Sequence, residues 1–237
     1  MKVIWHDLEC GGYVEDVPLW RSLAESCEGR ILDVGAGTGR VSLDLARRGH
    51  AVTALDRDAE LLAELERRAD GLDIETVVAD ARQFELDRRF RLCLVPMQTI
   101  QLLGGARGRR RFLGCAKRHL DAGGLLAVAI SAELELFIVA DGVPALIPDM
   151  CERDGVVYSS YPTAVREDGG GFVLERLREA ISPKGERRVW NDSVRLDPLT
   201  TKQLEQEAAD AGFTAAGVAQ VAPTEEYSGS QVVMLRA

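Results

Sequence analysis

Residues 31–40 read Ile31-Leu32-Asp33-Val34-Gly35-Ala36-Gly37-Thr38-Gly39-Arg40. A short apolar strand runs into an acid and a turn with glycine at every second position. The residues from Arg40 onward form an amphipathic helix pattern that Gly49 ends. Glycines in such a turn permit positive φ and let a ligand lie against bare backbone. The free N–H groups of the following helix then face an electronegative group of that ligand. The nicotinamide fingerprint Gly-x-Gly-x-x-Gly puts a third glycine where helix and strand pack closely. Here that place holds Arg40 and the third glycine falls one residue early, which counts against a dinucleotide.

The alternation continues on both sides. Upstream, Leu19, Leu23 and Ala24 lie at helical spacing, with Pro18 in the first turn. Downstream, residues 51–56 are an apolar run of buried-strand type, and Asp58 stands at the cap of a helix with Leu61, Leu62 and Leu65 on one face. Residues 74–80 and 91–97 read as strands, 105–120 as a basic helix and 123–131 as another strand. Five strand–helix alternations between 30 and 131 specify an α/β fold: a Rossmann-like, doubly wound, mostly parallel sheet with helices on both faces.

After 131 the pattern changes. Residues 132–150 are apolar without clear period; Phe137, Ile138, Val143, Pro144, Leu146 and Ile147 either line a substrate pocket or pack beneath the next segments. Three alternating segments separated by Gly- and Pro-rich turns predict an antiparallel β insertion at about 150–196. Its Tyr158, Tyr161 and Trp190 suit a homodimer contact. A Thr-capped helix over 200–212 and two closing strands end the chain. The expected organisation is a single domain: 1–28 an N-terminal lid and helix, 30–131 a cofactor-binding core, then the insertion, and 197–237 closing elements.

Three acids occupy three consecutive strand ends: Asp33, Asp56 and Asp80. A carboxylate at the C-terminal edge of a parallel sheet can accept both hydrogen bonds of a ribose diol, which suits Asp56. One at Asp80 can take a bond from an exocyclic amine while the next backbone N–H reads an adenine nitrogen. The alternative, a helix cap or a solvated acid, is weakened at Asp56 because Asp58 already fills the capping position.

The segments ILDVGAGTGR, ALDRD, VADAR and HLDAGGLL, in that order, resemble the successive motifs of the class I S-adenosylmethionine-dependent methyltransferases, small-molecule branch. The resemblance covers about 30–131 and implies a seven-stranded sheet in the order 3-2-1-4-5-7-6, with strand 7 antiparallel. It implies S-adenosylmethionine as cofactor, with S-adenosylhomocysteine as product. Asp33 and the turn Gly35, Ala36, Gly37 and Gly39 would hold the methionyl portion. Asp56, with Arg57 beside it, would bind the ribose; Asp80 the adenine amine; Ala81 and Arg82 would flank the ring. Pro96, Met97, Gln98 and Gln101, after the fourth strand, would add cofactor contacts, or else form a strand end with a polar helix start. The absence of a Pro-Pro-aromatic or Pro-Cys motif there counts against nucleobase chemistry.

Composition fits this reading. The 237 residues are 46% hydrophobic and 28% charged, which excludes collagen, disorder and a membrane bundle. A net charge of −9 repels phosphate backbones and anionic lipid. The basic run from Arg107 to Arg118 is a candidate RNA contact, but no aromatic residues interleave with it, and a solvated helix face is the plainer reading. Five scattered cysteines without a Cys-x-x-Cys pair suggest reduced thiols and no metal site. The first residues lack the apolar stretch of a signal peptide, so the expected location is cytoplasmic.

The acceptor side is harder to read. A sulfonium methyl is already activated, so the enzyme must align a nucleophile and exclude water. His6 and Tyr13 are the candidates for taking a proton, with Trp5 and Glu9 as further candidates for shielding the site or orienting substrate. A neutral amine would need no base. His50, at a helix–strand turn, and His119, at a helix end, read as structural. The activity expected is methyl transfer to an O, N or C nucleophile of a small molecule; an RNA methyltransferase and a non-catalytic cofactor-binding protein are the alternatives.

Overall fold

A computed structural model describes residues 1–131, 134–139, 147–224 and 229–237. The elements run α1 (Lys2–Cys10), α2 (Val17–Glu25), β1 (Ile31–Val34), α3 (Arg40–Arg47), β2 (Val52–Asp56), α4 (Ala59–Arg68), β3 (Ile74–Val78) and β4 (Phe90–Val95). A 3-10 turn (Thr99–Leu102), α5 (Gly105–His119) and β5 (Leu120–Ile130) come next. Then come β6 (Phe137–Ile138), β7 (Asp149–Arg153), β8 (Val156–Asp168), β9 (Gly171–Ile181) and β10 (Arg187–Leu196), and last α6 (Thr201–Asp210), β11 (Thr214–Val221) and β12 (Ser230–Arg236). They form two compact units: Tyr13–Ala132 with Leu199–Ala237, and Met1–Gly12 with Glu133–Pro198.

In the larger unit a seven-stranded sheet runs β11-β12-β5-β4-β1-β2-β3, with β12 antiparallel to both neighbours. Numbered within this sheet, that is the expected order 3-2-1-4-5-7-6. Strands β1, β4 and β5 are buried on both faces because helices cover both; Ile31, Leu94 and Ala127 are fully buried on one side and Val34, Val95 and Val128 on the other. Local chemistry sets the helix boundaries. Asp58 caps α4 by accepting from the N–H groups of Glu60 and Leu61, and Thr200 caps α6 in a reciprocal box with Gln203. Helix α5 continues to His119 and β5 starts directly at Leu120, three residues earlier than the sequence pattern indicates.

The basic run on α5 is largely engaged within this unit. Arg109 is buried and pairs with Glu207 through two bonds of 2.8 and 2.6 Å. Arg111 donates to Gln83, Lys117 to the Gly212 carbonyl, and Arg118 to the Gly114 carbonyl.

The smaller unit is an antiparallel sheet, β10-β9-β8-β6, with β7 also pairing β8. The N-terminal residues form helix α1, which packs on β7 and β8. Trp5 is buried there, edge-on to Tyr158 (5.5 Å between centroids, 81°) and to Trp190 (5.8 Å, 64°). Two aromatics that suit a dimer contact are thus occupied within their own unit. Tyr161 donates to Glu179 at 3.0 Å. Phe137 and Ile138 form β6, and Ile138 and Ile147 are largely exposed; Val143, Pro144 and Leu146 lie outside the described residues.

Candidate functional site

The register of the larger sheet places the three acids in a stagger. Asp33 pairs with Ala54 across β1 and β2, and Asp56 lies two residues beyond Ala54. Asp56 pairs with Val78 across β2 and β3, and Asp80 lies two residues beyond Val78. Asp56 is therefore one pleat further toward the C-terminal edge than Asp33, a step of about 7 Å, and Asp80 follows two residues past the last paired residue of β3. In parallel pairing, partners and residues two apart share a face, so Asp33 and Asp56 stand on the same face.

The glycine turn sits against this edge. The N–H groups of Gly35 and Ala36 both donate to the Leu55 carbonyl at 2.8 and 3.1 Å, which anchors the start of the turn to β2. Gly35 has φ +78°, and a Cβ there would stand 2.6 Å from the Thr99 side chain. Gly39 has φ +92°, and a Cβ there would overlap Leu65 of α4. The early third glycine thus performs the close-packing role, and Arg40 takes a different one. Its guanidinium bonds both oxygens of Asp16 (2.5 and 2.8 Å) and the Tyr13 carbonyl (2.7 Å), and lies 5.2 Å over the Tyr13 ring. Asp16 also accepts from the Trp20 indole at 2.8 Å. A side chain that argued against a dinucleotide ties the start of α2 to the start of α3.

The carboxylates have distinct environments. Asp56 Oδ2 accepts from the Gly37 N–H and Oδ1 from the Asp58 N–H, each at 2.9 Å, so backbone fixes its plane. Asp33 is 1% exposed. Its Oδ2 accepts from Ser42 at 2.6 Å, while its buried Oδ1 has no hydrogen-bond partner among the described residues. Burial pushes its pKa up to about 6, against the opposing Ser42 bond and Arg40 charge. Asp80 is held the other way: Arg82 binds it through Nε, Nη2 and the backbone N–H, and lowers it to about 2. Arg57 and Ala81 follow Asp56 and Asp80 directly in the chain.

Beyond β4, Met97 has φ +54°, a left-handed conformation uncommon for a side chain of this size. Such strain persists only where neighbours over-determine it. Here Thr99 donates to the Pro96 carbonyl at 3.0 Å and Gln98 to the Ser131 hydroxyl at 2.8 Å. Gln101 is buried and its carboxamide bonds both the N–H (2.9 Å) and the carbonyl (3.1 Å) of Ser131. Gln101 therefore braces the end of β5.

The two proton-transfer candidates divide between the units. Tyr13 lies in the larger one, 5% exposed, and burial raises its phenol above the ordinary value, which keeps it protonated near neutral pH. His6 is on α1 in the smaller unit, as is Glu9. Burial alone would raise the Glu9 carboxyl; two bonds of 2.7 Å from Arg178 and one from Ser160 outweigh it and hold it low. Glu9 thus clamps α1 to its own sheet. Sequence reasoning missed Ser42, Thr99 and Ser131. Ser42 had a signal, a polar residue among the apolar Val41, Leu43 and Leu45; the other two had none, because the positions they brace are set only once the strands pack.

A seven-stranded sheet of this order, with acids at or just past the ends of β1 to β3 and a glycine turn after the first, defines a Rossmann-like fold. Residues 31–124 match the family described as "Methyltransferase domain". Over 106 residues the chain is 33% identical to the cypemycin N-terminal methyltransferase of a Streptomyces species, covering 44% of this chain and 43% of that protein. The chain spans about half the length, or less, of the curated relatives it matches. Among solved structures it resembles CalS10, an amino pentose methyltransferase from Micromonospora echinaspora (TM-score 0.71, 20% identity, covering 99% of this chain and 97% of that one). It also resembles the sugar N-methyltransferase KedS8 from a Streptoalloteichus species (TM-score 0.73, 16% identity, 98% and 91%). Over residues 31–124 the chain is thus similar to methyltransferases, and it shares the fold of these solved enzymes.

Proposed function

We propose that this protein transfers a methyl group from S-adenosylmethionine to an O, N or C nucleophile of a small molecule. The observation that carries the proposal is the stagger of Asp33, Asp56 and Asp80 beside a turn whose glycines keep its floor bare. The fit of the cofactor rests on Asp33. A buried carboxylate with an unfilled oxygen costs free energy, and a cationic group such as the methionyl ammonium would satisfy Oδ1.

When bound, S-adenosylmethionine supplies a methyl already activated on sulfur and leaves as S-adenosylhomocysteine. This chain's residues hold and orient. The Gly35–Gly39 backbone faces the methionyl portion; Asp56, pinned by Gly37 and Asp58, accepts from the ribose diol. Asp80 accepts from the adenine amine, and Ala81 and Arg82 flank the ring. Pro96, Met97 and Gln98 border the reacting end. An amine acceptor is the form suggested by the names of the cypemycin and KedS8 enzymes, and it asks least of His6 and Tyr13, since a neutral amine attacks without a base. The reading includes a cytoplasmic location, and the −9 charge disfavours nucleic acid as partner.

Titration calorimetry with S-adenosylhomocysteine tests it first: micromolar or tighter binding is expected, and no heat would refute it. Incubation with amino and hydroxy metabolites should then yield S-adenosylhomocysteine together with a methylated product.

A further inference from the structure

His119, at the end of α5, has no part in the cofactor site, yet both ring nitrogens are committed. Nδ1 lies 2.8 Å from the Cys115 carbonyl. A carbonyl only accepts, so Nδ1 carries the proton and Nε2 accepts from the Leu86 N–H at 2.9 Å. The Phe84 ring lies tilted on the imidazole with centroids 4.6 Å apart. Phe84 and His119 are 3% and 5% exposed.

Leu86 and Phe84 belong to the segment that begins with Asp80, which lies outside every strand. The bonds within it are local: Arg82 N–H to Asp80 Oδ1, the Arg82 guanidinium to the same carboxylate, and Gln83 N–H to the Asp80 carbonyl. They fix the shape of the turn without fixing its place. Tethers from elsewhere in the fold do that: Arg111 donates to the Gln83 side chain at 2.8 Å, Arg82 reaches the Leu103 carbonyl at 3.4 Å, and His119, 33 residues away in sequence, holds the backbone of the segment at Leu86.

We infer that His119 is a positioning residue for cofactor recognition: through Leu86 and Phe84 it places the segment that presents Asp80 to the adenine ring. The inference rests on the assignment of Asp80 to the adenine amine.

The test compares two ligands on the full chain by calorimetry, S-adenosylhomocysteine and S-inosylhomocysteine, in which a carbonyl replaces the exocyclic amine. The unaltered protein should prefer the adenosyl compound by about tenfold or more, because the inosyl carbonyl sets an acceptor against the Asp80 carboxylate where the amine would donate. His119→Ala should shrink that preference at least severalfold. His119→Gln, whose carboxamide oxygen can accept from Leu86, should recover most of it. If the Ala variant does not fold, His119→Phe, which keeps the ring against Phe84 without an acceptor, takes its place with the same expectation. An undiminished preference in the Ala or Phe variant overturns the inference, even if both affinities fall together, as general loosening would cause. No preference in the unaltered protein overturns the Asp80 assignment itself, and the inference with it.

Discussion

The backbone N–H of Gly37 donates to Asp56 Oδ2 across 2.9 Å, so the glycine turn and the end of the second strand form one rigid piece. The turn that would hold one end of the cofactor is held by the carboxylate that would bind its middle. Removing that carboxylate should disturb two contacts at once.

Asp56→Ala should therefore weaken S-adenosylhomocysteine binding by roughly a hundredfold or more, since two charge-assisted bonds and the turn anchor go together. Asp56→Asn, which keeps one acceptor, should fall between. Calorimetry at fixed ionic strength measures both, and an unchanged affinity in the Ala variant would refute the ribose assignment.

Asp33→Asn should separate stability from binding. The folded carboxyl titrates at about 6 instead of near its ordinary 3.8, so the folded state binds the proton more readily. Its penalty is absent below the ordinary value, grows as pH rises between the two, and is complete above 6, reaching about 3 kcal/mol at most. The Asn variant should be more stable than the parent at pH 7.5, with the gap closing toward pH 4, and should bind cofactor more weakly. Denaturant titrations at both pH values decide this; a gap that does not change with pH would remove Asp33 as its source.

Arg40 and Asp16 form a pair in which Asp16 is 1% exposed. Arg40→Met should cost about 3–5 kcal/mol by stranding the buried acid. Arg40→Lys should restore little, because an ammonium cannot reproduce the planar two-pronged contact plus the Tyr13 carbonyl. Chemical denaturation of both variants tests this, and a Lys variant as stable as the parent would contradict it.

Gly35→Ala meets both the positive φ and the Thr99 side chain. A loss of about 1–3 kcal/mol is expected, together with weakened cofactor binding. Adding Thr99→Ser, which removes the methyl, should recover part of the stability and leave the φ penalty. Thermal melts of the single and double variants check the split.

Much of the larger unit was legible in the chain. The glycine spacing, the caps at Asp58 and Thr200, and the apolar runs at 52–55 and 92–95 report their elements directly, because each is set by residues within one turn or strand. Helix α1 was not legible: its pattern is short, and Trp5 and Glu9 find their partners at Tyr158, Trp190, Ser160 and Arg178, far along the chain. Arg40 was informative as an oddity of spacing, yet its actual role depended on Asp16 arriving from the preceding helix.

The sequence by itself determined the order of strands and helices in the larger unit and the acids at or just past the ends of its first three strands, since periodicity and turn chemistry act over a few residues. The tertiary structure alone decided the two-residue stagger of those acids, the unfilled oxygen of Asp33 and the tether from His119 to Leu86. Register, burial and long-range pairing are properties of the packed sheet and its covering helices, and no local stretch of chain contains them.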